Sequence, residues 1–207
     1  MPNKQRRKDE KELLRGKILA AAKYIAVEDG WQNVTIRKIC DQIHYTAPVV
    51  YQYFESKEAL LIALRNEGFI QVFTILESVN AKHLNPEKRL MEYGIAWWNF
   101  AMQYSEVYQI MFNIQGAICV QSDSTIKVNN NVMEYYHPEF IRINNKAAKS
   151  ALFRLELTDN YIALIHGFIS MNMANKIKSP ENKLLSVYKS ALQRFINSIN
   201  DKTNNNE

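Results

Sequence analysis

The chain has 207 residues, 47% of them hydrophobic, and a formal charge of +5. That length can bury one sizeable core, or a small domain beside a larger one. Its two cysteines, Cys40 and Cys119, lack CxxC spacing and sit in apolar surroundings, which excludes a disulfide scaffold and fits reduced thiols in the cytoplasm.

Charge concentrates at the start, where residues 1–17 hold seven basic and three acidic side chains. Such an arm can follow phosphates or a minor groove. A charged lead-in is more often a disordered, solubilising segment, and that is the expectation for residues 1–8. The acidic residues and the lack of an apolar core in this stretch do not fit a signal peptide. No run approaches 18 uninterrupted apolar residues, so no membrane span is expected.

With only six Gly and five Pro, and long stretches of 3.6-residue periodicity, the chain reads as all-α. The first helix is expected from about Lys11 to Glu28, closed by Gly30. Two short helices follow. Ile36, Ile39, Cys40 and Ile43 form one apolar face behind a Thr35 cap. The second helix, Thr46 to Tyr53, opens on a Thr46 cap with Pro48 in its first turn, where a missing N–H costs little. Val50 and Phe54 share its core face. At ~100° per residue Pro48, Val49 and Gln52 point the other way, with Tyr51 and Tyr53 beside them. Gln can pair with adenine and an apolar group such as Val49 can meet a thymine methyl. Tyrosine hydroxyls donate to phosphates.

Ser56 caps the next helix, which carries Leu60, Leu64, Gly68, Val72, Leu76 and Val79 in one stripe. Lys57 lies in its first turn, where the helix dipole disfavours a cation by ~0.3–1 kcal/mol; a nearby phosphate would remove that objection. Asn85-Pro86-Glu87 starts a helix with Met91, Ile95, Trp98 and Met102. Ser105 precedes a short one with Tyr108, Met111 and Phe112. Residues 116–131 read as a polar loop, and Pro138 as a break or kink. Asp159 is placed as the cap of a helix with Ile162, Ile165, His166 and Ile169. The last helix, about Pro180 to Asn200, shows Leu184, Tyr188, Leu192, Phe195 and Ile199 on one face, and residues 201–207 read as a frayed, disordered end.

Catalysis has no visible seat. There is no glycine-rich phosphate loop, nucleophile elbow or distinctive carboxylate pair. His44, His83, His137 and His166 are scattered, so neither an enzyme, a metal nor a cofactor is expected. Helix spacing alone also fits a helical ligand-binding or adaptor protein that never reads DNA.

Resemblance to a known family separates these readings. Residues from Arg15 to Leu64 resemble the DNA-binding domain of the TetR family of bacterial repressors. The matching stretches are Ile18-Leu19-Ala20-Ala21-Ala22, Glu28-Asp29-Gly30-Trp31, Thr35-Ile36-Arg37-Lys38-Ile39 and Tyr51-Gln52-Tyr53-Phe54-Glu55-Ser56-Lys57-Glu58-Ala59-Leu60. The resemblance covers about a quarter of the chain. A weaker one, at Ala163-Leu164-Ile165-His166-Gly167-Phe168, is to the penultimate helix of the family's regulatory domains, where the last two helices form a four-helix bundle with a second subunit.

What the resemblance implies is a helix-turn-helix domain over residues 9–56 and a helical effector-binding and dimerisation domain over 57–200. The protein would be a homodimeric repressor on a palindromic DNA operator, released by a small hydrophobic effector. Thr35, Arg37, Tyr51, Tyr53 and Lys57 would contact phosphate or backbone; Thr46, Ala47, Pro48, Val49 and Gln52 would face the groove. The chain departs from the family pattern twice. His44 stands where the turn usually has Gly, and Ala47-Pro48 where Lys-Gly is common, which removes a cation and a backbone donor. The aromatic and Met-rich middle of the chain, including Trp97, Trp98, Met102, Tyr136 and Tyr161, either fills a core or lines an adaptable apolar cavity.

Overall fold

The computed structural model describes residues 2–114 and 124–200, with side chains over 5–114 and 132–199. The described residues form ten α-helices and two short 3-10 turns, with no strand. They divide into two compact units, one built from residues 2–70 and 104–114, the other from 71–103 and 124–200.

The first unit contains α1 (Pro2–Asp29), a 3-10 turn (Trp31–Asn33), α2 (Ile36–Ile43), α3 (Ala47–Tyr51), the start of α4 (Lys57–Asn80) and α6 (Ser105–Met111). Its core joins Ile18, Ala22 and Ile25 of α1, Ile39 and Cys40 of α2, Val50 of α3, Phe54 from the link that follows it, Leu60 and Leu64 of α4, and Ile110 of α6. Gly30 closes α1 with φ +83, a value that favours glycine, and donates its N–H to the Ala26 carbonyl at 3.0 Å. Gly68 faces α6: a β-carbon there would stand 2.6 Å from Val107 Cγ1.

One expectation fails at the start of the chain. Residues 2–8 are helical rather than a disordered lead-in. Gln5 Nε2 donates to Asp9 Oδ1 at 2.8 Å and Arg6 meets Glu10 at 3.4 Å, both four residues apart. Such i,i+4 pairs in good helix formers extend α1 outward.

The second unit contains the rest of α4, α5 (Pro86–Gln103), α7 (Ser124–Ile143), α8 (Asn145–Lys149), α9 (Ala151–Met173), a 3-10 turn (Glu181–Lys183) and α10 (Leu184–Asn200). Asn85 caps α5 as expected, its Oδ1 accepting from Lys88 N at 2.9 Å. The α4 stripe Leu60, Leu64, Val72, Leu76 and Val79 is buried throughout. By length and hydropathy α4 is the one described helix that could cross a bilayer; here it seats that stripe in protein interior instead.

Three further expectations are revised. Residues 124–131 belong to α7 and not to a loop, while 116–123 lie outside the described residues. Pro138 lies inside α7, which continues through it. The cap of α9 is Ser150, whose Oγ accepts from Phe153 N at 3.2 Å, and not Asp159, which is exposed inside the helix. Leu157, Tyr161, Ile165 and Ile169 keep one buried stripe through Asp159, so no boundary falls there. Residues 201–207 lie outside the described residues.

Four tyrosines, Tyr93, Tyr136, Tyr161 and Tyr188, are fully buried in this unit, and each phenol oxygen has a partner. Trp97 Nε1 donates to Tyr136 Oη at 2.7 Å, Tyr188 donates to the Gly94 carbonyl at 2.8 Å, and Tyr93 reaches Asn80 Oδ1 at 3.4 Å. Tyr161 donates to the Leu90 carbonyl. Buried Glu139 pairs with Arg89 at 2.8 Å and Arg142 at 2.7 Å.

Gly94 lets α10 lie close on α5, because a β-carbon there would stand 2.5 Å from Leu192 Cδ1. Leu192 is fully buried and has little room to retreat. Gly94→Ala is expected to cost about 1–3 kcal/mol through overpacking, seen as a lower urea midpoint at unchanged slope. An unchanged midpoint would show that α10 steps back freely.

Candidate nucleic-acid interface

The reading element is short, and its orientation is set from behind. Val50 is fully buried and Phe54 is 4% exposed, as their shared face predicts. The Arg15 guanidinium lies over the Phe54 ring at 5.4 Å and pairs with Glu67 at 2.9 Å. A cation on an aromatic face is attracted by the ring quadrupole, so α1 and α4 grip the back of the reader through one side chain. Sequence reasoning missed Arg15 in this role. It lies 39 positions from Phe54, and nothing local signals the contact.

The turn before α3 is tight. His44 adopts the left-handed conformation, φ 58 and ψ 43, and its N–H and that of Tyr45 both bond the Cys40 carbonyl. This is the position where glycine would be unstrained. Thr46 occupies the N-cap of α3, but its hydroxyl makes no capping bond. Its carbonyl instead accepts from Val49 N at 3.0 Å and Val50 N at 3.3 Å. The Thr46 hydroxyl is therefore spared for an outside partner, contrary to the expected capping role.

Pro48 and Gln52 are exposed and Val49 is half-buried. Ala47 and Tyr53 are half-buried and pack against the core of this unit. Each lies three residues from Val50, so the helical repeat turns both towards its face. Gln52 closes α3, its N–H bonded to the Val49 carbonyl at 3.2 Å. Tyr51 is 50% exposed and Tyr45 is 42% exposed.

Thr35 Oγ1 accepts from Lys38 N at 3.2 Å, the predicted cap, and the Thr35 side chain is exposed, as is that of Arg37. Lys38 is drawn to Asp29 at 2.6 Å. At the start of α4, Ser56 Oγ accepts from Ala59 N at 3.1 Å. Lys57 Nζ donates to the Trp31 carbonyl at 3.4 Å, while Trp31 Nε1 donates to the Glu106 carbonyl at 2.9 Å. The Trp31 carbonyl thus offsets part of the dipole penalty on Lys57 that pointed to a phosphate. Glu58, beside it, has its carboxyl pulled below the ordinary value by its own backbone amide and by the Ser56 hydroxyl. Among the described residues no group of three His, Cys, Asp or Glu could hold a metal ion.

A family model described as bacterial regulatory proteins, tetR family, matches residues 18–64, the stretch from the middle of α1 to the first turns of α4. The match spans 47 of the 207 residues and identifies that stretch as a tetR-type domain. Solved structures share its fold across most of the chain. A TetR-like transcriptional regulator from Rhodococcus sp. RHA1 is 14% identical, covers 86% of this chain and 93% of its own, and has a TM-score of 0.62. A TetR family transcriptional regulator, PfmR, from Thermus thermophilus is 13% identical, with 87% and 97% covered and a TM-score of 0.64. A TetR variant from Acinetobacter baumannii AYE in complex with minocycline is 16% identical, with 88% and 94% covered and a TM-score of 0.63. Compared with curated proteins by sequence, the chain matches none. The matched stretch contains the helix-turn-helix, α2 to α3, of this chain.

The second unit has an open cavity of about 510 Å³, lined by Trp98, Met102 and Leu184 with Asn172 and Glu181 at its polar side. Of the aromatic and methionine residues noted in the sequence, Trp98 and Met102 line it. Tyr136, Phe140 and Tyr161 are buried in ring-to-ring contacts and act as core.

Because His44 holds a left-handed backbone, His44→Ile is expected to lose about 1–2 kcal/mol of stability from the branching it adds at the β-carbon. His44→Gly should relieve strain at a similar entropic cost. Thermal unfolding of the two variants checks this; equal midpoints would mean the turn has relaxed to another conformation.

Proposed function

We propose that the protein is a ligand-responsive repressor that binds a palindromic operator as a homodimer and leaves it when a small hydrophobic effector binds. The carrying observation is the two-faced α3: Val50 and Phe54 are sealed into the core while Thr46, Pro48 and Gln52 face solvent. A helix so anchored fits the major groove, its first residues at base edges. Gln52 reads a base by paired hydrogen bonds, and Val49 with Pro48 favours thymine methyls. Ala47 supplies apolar contact at the rim. Thr35, Arg37, Tyr51, Tyr53 and Lys57 hold phosphates, fixing register without reading sequence.

The division of labour follows the same lines, with residues 9–56 reading DNA and 57–200 taking the effector and the second subunit. Two readers on a dyad meet half-sites about 34–36 Å apart. The minocycline complex of the Acinetobacter protein supports a small-molecule effector for this chain. Effector binding shifts α4 and with it the spacing of the two readers. For release to occur, the effector must bind the shifted state more tightly than the DNA-competent one. Such a regulator works in the cytoplasm and needs neither a cofactor nor catalysis.

The test is selection of fragments from the source genome with the purified full chain. The expected result is enrichment of a two-fold symmetric sequence; recovery no better than unselected DNA would overturn the reading and leave a helical ligand-binding protein. On the selected operator, Gln52→Ala is expected to relax preference at one base-pair position by about 1–3 kcal/mol. Lys57→Ala is expected to weaken binding to all sequences alike and to lower the salt slope by about one. Retained preference at every position, or an unchanged slope, removes the residue concerned from the interface.

A further inference from the structure

We propose that the N-terminal half of α1 is a second DNA-contacting element, a basic groove beside the reader that holds backbone phosphates flanking each half-site. This rests on the DNA-binding reading above. Because residues 2–8 are helical, Arg7, Glu10, Lys11, Leu14 and Lys17 recur at i, i+3, i+4, i+7 and i+10 and share one face. That face is one wall of a groove of about 410 Å³. The other wall is Tyr45, from the turn before α3, and Tyr53, from the end of the reader.

Leu14 packs against the core of the same unit and fixes the rotation of α1, so the cations beside it are aimed by packing. Arg7 to Lys17 spans ten residues, ~15 Å of helix, which matches about four nucleotides of one strand at ~3.4 Å each. Charge favours an anion: three cations face one carboxylate, and Glu10 is paired with Arg6 at 3.4 Å. The exposed Tyr45 phenol adds a neutral donor of the kind that binds phosphate oxygens. Position selects the occupant. Tyr45 directly precedes Thr46, so the groove runs on from the base-facing surface. That surface carries no cation at Thr46, Pro48, Val49 or Gln52, and the counterion release that drives DNA affinity must come from beside it.

The experiment uses the full chain and the selected operator extended by about ten base pairs on each side, roughly one helical turn. Affinity is measured against salt for three proteins: wild type, the groove variant Arg7→Gln/Lys11→Gln/Lys17→Gln, and a control, Lys149→Gln/Lys176→Gln/Lys178→Gln, which removes the same charge from exposed sites in the other unit. Glutamine keeps helix propensity, and circular dichroism verifies it; should the triple variant lose helix, Lys11→Gln alone is read instead, with a slope shallower by about one. The groove variant is expected to lower the salt slope by about 2–3, at ~0.9 per phosphate, with base preference retained and the control matching wild type. A wild-type slope in the groove variant overturns the inference, and is what an acidic peptide as the true occupant would give. An equal loss in the control also overturns it, since charge alone would then be responsible. If wild type binds no sequence selectively, the DNA reading itself fails; if it does and only the groove variant is silent, the groove alone falls.

Discussion

A helix of five residues cannot hold itself together in water, because nucleation costs more than so few hydrogen bonds return. The helix α3 exists because Val50 and Phe54 are taken into the core of α1, α2 and α4. Burying each contributes about 1.5–3 kcal/mol, and the Arg15 cation above the Phe54 ring closes the pocket from the other side. With stability supplied from behind, the outward positions carry no folding duty. Pro48, Val49 and Gln52 can be chosen for what they meet, and a proline and a β-branched valine are tolerated there.

The second unit solves a different problem, which is to bury many aromatic rings that carry oxygen. A buried hydroxyl without a partner costs roughly 1–3 kcal/mol, so each of the four sealed tyrosines is matched to a carbonyl, an amide or an indole N–H. Burial also pushes three of these phenols up, Tyr93 to about 12 with help from the Glu139 charge, and Tyr136 and Tyr161 well above the ordinary value. They stay neutral at any physiological pH, and their contribution to stability is insensitive to it. Glu139 is the charged member of this interior, and two arginines answer it. Gly94 contributes by what it lacks, leaving room for Leu192.

Much of this is legible in the sequence because it is written locally. The α2 face, the α4 stripe, the pair Val50 and Phe54, the Thr35, Ser56 and Asn85 caps and the last helix all follow from 3.6-residue spacing and short-range capping chemistry. What escapes depends on competition or distance. The charged run at residues 2–8 has the composition of a solvated tail, and only the i,i+4 pairs decide for helix. Ser150 and Asp159 are both acceptable caps, and unbroken periodicity between them decides for the first. Ala47 is expected to face outward, yet its three-residue offset from Val50 turns it in. The placement of α6 in the first unit, with the Trp31 indole bonded to the Glu106 carbonyl 75 residues away, has no local signature at all.

The departure at Ala47-Pro48 bears on how affinity and selectivity are divided. A lysine and a glycine there would give the reader its own cation and backbone donor. With alanine and proline, the exposed surface of α3 is nearly neutral and, on the proposed reading, selects bases by shape, methyl contact and a single amide. Electrostatic attraction, which supplies most of the sequence-independent binding to a duplex, then has to be carried by neighbouring elements. Arg37 is exposed on α2, whereas Lys38 is committed to Asp29 and Lys57 is partly engaged by the Trp31 carbonyl. The largest remaining store of positive charge in this unit is the outer half of α1, where residues 1–17 carry a net +4. A reader stripped of charge and a helix loaded with it, in one unit and sharing a groove at Tyr45 and Tyr53, are two halves of the arrangement proposed above, in which the first discriminates between sequences and the second attracts any of them.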